Sequence, residues 1–370
     1  MSDRQDISRI QDSTVYQAGG DLTINHGLSA SDVIAIVKSV VSSELAIYSQ
    51  NAEKRAEERL NQFVEDLVEQ LAQQVSDKLN RFNEPSLQFA VREAALSYVK
   101  SGKEADEKAL VDLMIERVKV DEHTTKQKLI DQAIKIIPSL STECLALLSL
   151  IVFRSLTLTG ERVALERWID SMNPVLDVIQ NVTSLDIEYL TQADCVTAMQ
   201  GIMVHDSWME MCPRQNDLFF RHPVPIEAAS VFKQKYGIAS FDKRFMVAHN
   251  ALLGGEKSVI FIAQLIQLCQ DGTIRFMLSN SSLVDELITG FGLPSVREDV
   301  YKMIQASALY SPEDVKRYFI ARNPKWEKAI DLIDGGRLRA FNLLPVGAYI
   351  GSRQLSMLSG REIALETFYK

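Results

Sequence analysis

The sequence is poor in residues that staple or ligate. Four cysteines occur among 370 residues, Cys144, Cys195, Cys212 and Cys269, and no two form a CxxC pair. That excludes a disulfide framework. With no signal peptide ahead of them, scattered thiols read as buried cysteines of a protein in the reducing cytoplasm. The opening dozen, MSDRQDISRIQD, is polar and lacks an apolar core. Long apolar runs are missing too. The most apolar, CLALLSLIVFRSLTL at 144–158, carries Arg154 and falls short of the roughly 20 residues a bilayer span takes. It reads as a buried core helix, and no membrane partner is expected. Nor is there a basic excess. Forty Lys/Arg against 49 Asp/Glu leave a formal charge of -9, which excludes a chain that binds nucleic acid over its whole surface.

Catalytic and cofactor signatures are equally scarce. GxGxxG and GxSxG are absent. The stretch NALLGGEKSVIF at 250–261 contains Gly-Gly-Glu-Lys-Ser, but a phosphate cradle needs GxxxxGK[ST] between a strand and a helix. Here Lys257 does not follow a glycine, and the strand-like run, Ser258 to Ile262, comes after the glycines instead of before them. Cys195, His205, Cys212 and His222 are zinc-compatible donors, yet six to nine residues separate neighbours where structural zinc pairs use about two to four. Cys212 with His222 or His249 lacks a third orienting group and a device to lower the thiol pKa. No metal, cofactor or catalytic residue is assigned, and an enzyme is the less favoured class. The rival reading within that class is a metal-dependent nuclease or phosphohydrolase around His205, Asp206 and His222.

What is present is helical patterning. From Leu28 to Glu84 no Pro or Gly interrupts the chain, and apolar residues recur at Val33, Val37 and Val40, then from Leu60 to Phe82 at spacings of three and four. Ser29 or Ser31 supplies a cap, with Asp32 in the first turn. One helix of about fifty residues would reach roughly 75 Å and project as a coiled-coil arm. Two helices hinged near Gln50 are the alternative. Further helices are predicted over 86–100, 103–120, 123–137, 142–158, 161–182 (split or kinked by Pro174) and 186–200, with breaks at Gly102, Pro138 and Gly160. Residues 201–260 hold prolines and aromatics in irregular loops. The end of the chain, from Gly335-Gly336, reads as a short apolar strand or helix followed by a closing helix. The expected class is therefore mainly α: a short N-terminal β segment, a long coiled-coil-like helix, a helical bundle and a C-terminal α or α+β module. The expected divisions are 1–28, 29–83, 84–200 and 201–370.

Two stretches carry candidate interactions. Lys316, Arg317, Arg322, Lys325, Lys328, Arg337 and Arg339 interleave with Tyr318, Phe319 and Trp326, a pattern suited to phosphate neutralisation and base stacking. Acidic residues lie among them, so a salt-bridged helical face is the competing reading. Near the N-terminus, TVYQAGGDLTIN at 14–25 reads as two short strands around Gly19-Gly20, with Leu22 and Ile24 on one face. An isolated two-stranded piece is marginal in water, so these strands need cover. Identical segments of sister chains supply it edge to edge.

Gln17-Ala18-Gly19-Gly20-Asp21-Leu22-Thr23-Ile24, followed by Gly27-Leu28-Ser29, resembles the leader of a poorly characterised family of bacterial cytoplasmic proteins. In that family QAGGD(I/L)T(I/V) precedes a long helix and a helical body. Leu344-Pro345-Val346-Gly347 with Ile350 is similar to its C-terminal pattern. The resemblance implies assembly, because related leaders precede bacterial conflict and anti-phage proteins and are thought to mediate assembly there. It brings no catalytic residues. The expectation is a homo-oligomer joined through Val15, Tyr16, Gln17, Gly19, Gly20, Leu22, Ile24, Val33, Val37 and Val40, with another protein or a nucleic acid as a further partner.

Overall fold

A computed structural model describes residues 28–45, 50–156, 160–198, 206–236, 256–269, 271, 273–335, 338–360, 362–363 and 368. Those residues are mainly helical, with seventeen α-helices and four strands of three residues each.

The single arm expected after residue 28 does not form. Instead, α1 (Ala30–Leu45) and α2 (Gln50–Gln74) are separate helices, followed by a 3-10 segment at Ser76–Asn83. The Leu28 N–H donates to Asn80 Oδ1 at 2.6 Å, although one straight helix would hold those residues roughly 75 Å apart. The chain doubles back. Burial explains why: Val33, Val37 and Val41 join Phe63, Leu67 and Leu71 in one core. Each such side chain gains about 1.5–3 kcal/mol on leaving water, and an outstretched arm would forgo that gain. Ser29 and Asp32 cap α1 reciprocally, the Ser29 N–H donating to Asp32 Oδ2 at 2.7 Å and the Asp32 N–H to Ser29 Oγ at 3.2 Å.

The next helices match most of their predicted punctuation, but the helix expected over 186–200 stops at Gln192, and Val196–Ala198 within that range is a strand. They are α3 (Pro85–Ser101), α4 (Glu104–Lys119), α5 (Thr125–Ile136), α6 (Thr142–Ser155), α7 (Arg162–Asp170), α8 (Asn173–Ile179) and α9 (Ser184–Gln192). Gly102 ends α3 in the left-handed region at φ 61°, and Pro174 sits in the first turn of α8, splitting the predicted 161–182 helix. The apolar α6 is buried along most of its length, Arg154 included.

β1 (Val196–Ala198) then leads to α10 (Trp208–Gln215), α11 (Ile226–Lys235) and α12 (Glu256–Leu265). The predicted strand-like run Ser258 to Ile262 is thus helical, and β2 (Ile266–Leu268) follows it. β2 pairs antiparallel with β3 (Ile274–Phe276), Ile266 opposite Phe276. The remaining elements are α13 (Ser282–Phe291), α14 (Arg297–Ala306), α15 (Pro312–Arg322), α16 (Trp326–Asp334), β4 (Phe341–Leu343) and α17 (Pro345–Ser359). β4 returns to β1 antiparallel, Val196 opposite Leu343.

Two apolar cores result among the described residues. The larger unites α1–α10 with α15–α17, and the smaller draws on residues 218–304 alone. α17 lies tightly on α6 because Gly351 offers no side chain. A Cβ there would meet Val152 Cγ2 at 2.7 Å and Leu148 O at 2.8 Å. The Leu344-Pro345-Val346-Gly347 run has local reasons: the Leu344 N–H donates to Cys195 O at 3.0 Å, Pro345 starts the helix, and Gly347 passes directly over that carbonyl.

Candidate functional site

The basic and aromatic residues of 316–339 are brought onto α15 and α16, but their charges face carboxylates and carbonyls of the same chain. Lys316 Nζ lies 3.0 Å from Asp331 Oδ1, and Arg317 pairs with Asp314. Arg322 grips Asp170 with both arms of its fork, Nη2 to Oδ2 at 2.5 Å and Nε to Oδ1 at 3.0 Å. Lys325 Nζ meets Asp177 Oδ1 at 2.5 Å, and Lys328 Nζ donates to Gln180 O at 2.7 Å. Arg339 is half-buried in the 3-10 turn Leu338–Ala340, while Arg337 lies outside the described residues. Asp314 also accepts from Ser311, and that hydrogen bonding, aided by Arg317, lowers its pKa to about 2.

The rings are equally occupied. Phe319 and Trp326 are 2% and 1% exposed, which leaves no free face for a base. They close an aromatic cluster in which the Phe153 ring lies 5.9 Å from Trp168, 5.9 Å from Trp208 and 5.7 Å from Trp326. The stretch is a seam fastening α15 and α16 to α7 and α8. Exposed ion pairs contribute about 0–1 kcal/mol each, so the buried rings dominate its stability.

At the other candidate stretch, Val15, Tyr16, Gln17, Gly19, Gly20, Leu22 and Ile24 lie outside the described residues. Val33 and Val37, expected in a seam between subunits, are fully buried within this chain's own core. Val40 is half-buried, as are Ile34 and Ile36, so α1 keeps an incompletely covered apolar flank.

Among the thiols, burial pushes Cys195 up to about 12 and Cys212 well above the usual thiol value. Held protonated, neither is a ready nucleophile. His222 Nε2 lies 3.6 Å from Asp314 Oδ2, Asp206 pairs with Arg214 at 3.4 Å, and His205 and His249 lie outside the described residues. Among the described residues, no group of three His, Cys, Asp or Glu side chains is placed to hold a metal ion.

Sequence patterns did not single out three buried groupings. Arg117 is fully buried, with Nε 2.8 Å from Asp131 Oδ1 and Nη1 2.8 Å from Glu122 Oε1, so it ties α4 to α5. Arg162 donates to Phe276 O at 2.8 Å and Phe219 O at 2.6 Å, joining the two cores, and burial lowers its pKa. Between α2 and α4, Gln62 donates to Glu107 Oε2 at 2.8 Å while, among the described residues, Glu107 Oε1 and Asp106 Oδ2 are buried without a hydrogen-bond partner. Burial raises the Glu107 pKa, and burial with the nearby Glu107 raises Tyr98 to about 12. Arg154 alone had a visible signal, a charge inside the most apolar run. It donates to Leu338 O at 2.9 Å and Phe341 O at 3.2 Å, fixing β4.

A protein-family model described as ":-like" matches residues 27–369. The chain belongs to that family. The match takes in α1 to α17 and does not include residues 14–25. Comparison with curated proteins returns no match, and neither does comparison with solved structures. Among the described residues, no helix is long and apolar enough to cross a membrane.

Proposed function

We propose that the chain is a non-enzymatic, self-associating binding protein in which the 14–25 leader joins sister copies and the helical body is the platform it is mounted on. One observation supports this most: Leu28 is fastened to Asn80 at 2.6 Å and α1 is folded onto α2 and α3. Leu28, the first described residue, is therefore a fixed point on the body and not the tip of an arm. A short strand pair mounted so gains pairing partners with little loss of freedom, and symmetric copies present the same edge. The half-buried flank of Ile36 and Val40 lies on the helix that follows the leader, where a neighbouring copy would complete its cover. The leader's resemblance to those of anti-phage proteins supports a scaffold or sensor role in defence.

Light scattering tests the reading. The full chain should give a mass that is a multiple of 41.6 kDa, and a variant lacking residues 1–27 should give a monomer. Equal association states for the two would overturn it.

A further inference from the structure

Where α2 begins beside the end of α3, a surface cavity of about 540 Å³ is lined by Asn51, Arg55, Ala56, Arg59, Val99 and Lys100. Three of these are cations, and among the described residues no carboxylate lines the cavity. In a chain of net charge -9, that is a local reversal of sign. The contrast with the seam on α15 and α16 is direct. There Lys316, Arg322 and Lys325 each meet a carboxylate, whereas here Arg55 and Lys100 have no carboxylate partner among the described residues.

Arg59 is held in place. Its Nη1 donates to Val99 O at 2.7 Å. Its guanidinium occupies the space beside Gly102, where an added Cβ would come within 2.2 Å of Cζ. Gly102 stands at φ 61°, so the glycine that stops α3 also makes room for this arginine. A guanidinium fixed in this way loses little freedom when it meets a ligand, and its planar fork suits phosphate. The cavity falls within the roughly 300–1,000 Å³ common for small-molecule sites. Three like charges around one concavity repel one another, and a ligand with two or more negative charges relieves that repulsion where a monoanion would not.

We propose that this cavity binds a phosphate-bearing small molecule, with Arg59 as the fixed fork and Arg55 and Lys100 supplying the remaining charge. The proposal is independent of self-association and stands or falls without it.

The test is isothermal titration of the full-length chain with inorganic pyrophosphate at constant ionic strength, with citrate as the polycarboxylate comparison. Saturable pyrophosphate binding is expected, weakened about tenfold or more in the Arg55→Gln/Lys100→Gln double variant. Both side chains lack carboxylate partners among the described residues, so the variant should keep the wild-type far-ultraviolet dichroism. Arg59→Lys should also weaken binding, because an ammonium cannot form the fork, whereas Lys325→Gln in the distant seam should leave it unchanged. Absence of saturable binding, undiminished binding in the double variant, equal loss in Lys325→Gln, or equal affinity for citrate would each overturn the proposal.

Discussion

Replacing Gly347 by alanine separates two opposed effects. On helix propensity alone, alanine gains about 0.5–1 kcal/mol over glycine inside α17. Packing opposes it: the new Cβ would sit 1.9 Å from Cys195 O, where ordinary contact begins at 3.4 Å. The obstacle is backbone, and that same carbonyl accepts the Leu344 N–H at 3.0 Å beside the β1–β4 pair. Moving it costs the overpacking typical of a filled core, about 1–3 kcal/mol, plus roughly 1 kcal/mol for the strained hydrogen bond. Less the propensity gain, the net expectation is destabilisation by about 1–3.5 kcal/mol. Urea unfolding followed by tryptophan fluorescence reads it directly, because Trp168, Trp208 and Trp326 all surround Phe153 in the same core as α17. At a slope of about 3 kcal/mol per molar, the midpoint should fall by roughly 0.3–1.2 M. Gly290→Ala in α13 is the control, since nothing lies within 4 Å of the added Cβ, and a gain of about 0.5 kcal/mol is expected. A Gly347→Ala midpoint equal to or above wild type would refute the close-packing argument.

Arg162→Met should cost about 2–4 kcal/mol by leaving buried carbonyls of Phe219 and Phe276 unpaired, and limited proteolysis should then cut between the two cores faster than in wild type. Glu107 has a raised pKa, so its stabilising, protonated form is fully present below the unfolded value, and stability is lost as pH rises through the folded one. Glu107→Gln should therefore raise the melting temperature more at pH 8 than at pH 4, and equal shifts would contradict this. Glu122 has the opposite sign: hydrogen bonding to Arg117 lowers its pKa, so its contribution is present above the unfolded value and lost as pH falls through the folded one. Glu122→Gln should be more destabilising at pH 7 than at pH 3 in thermal melts. Arg322→Ala should cost only about 0–1 kcal/mol in urea unfolding, despite its two-armed grip on Asp170, because the pair is open to solvent.

Much of the helical body was legible because its punctuation is chemical. Gly102 performs the stop and Pro174 the helix start that their backbones favour, and most of α3 to α9 follows. The choice between one long arm and the alternative of two helices hinged near Gln50 was not legible. A stripe at spacings of three and four continues unchanged whether the helix runs on or turns, and the choice was made by burial against α3, far along the chain. β1 was hidden for a related reason, and the segment that becomes β4 read equally as strand or helix: three residues are too few to show alternation, and Val196 finds Leu343 only after the fold closes. Ser258 to Ile262 favours a strand by composition, yet lies in α12 with Phe261 and Ile262 buried in the smaller core, a case of packing overriding propensity. At the candidate sites, residue types revealed the basic and aromatic face but not its orientation. Asp170 and Asp177, which take up Arg322 and Lys325, lie about 150 positions earlier.

The central claim, that the leader joins copies of this chain, is tested most directly by a surgical change within it. Leu22→Lys with Ile24→Lys leaves every described residue untouched and puts two charges on the face expected to pair. Sedimentation equilibrium should show an oligomer for wild type and a 41.6 kDa monomer, within the added lysine mass, for the variant. An oligomer of the same size in both would contradict the account.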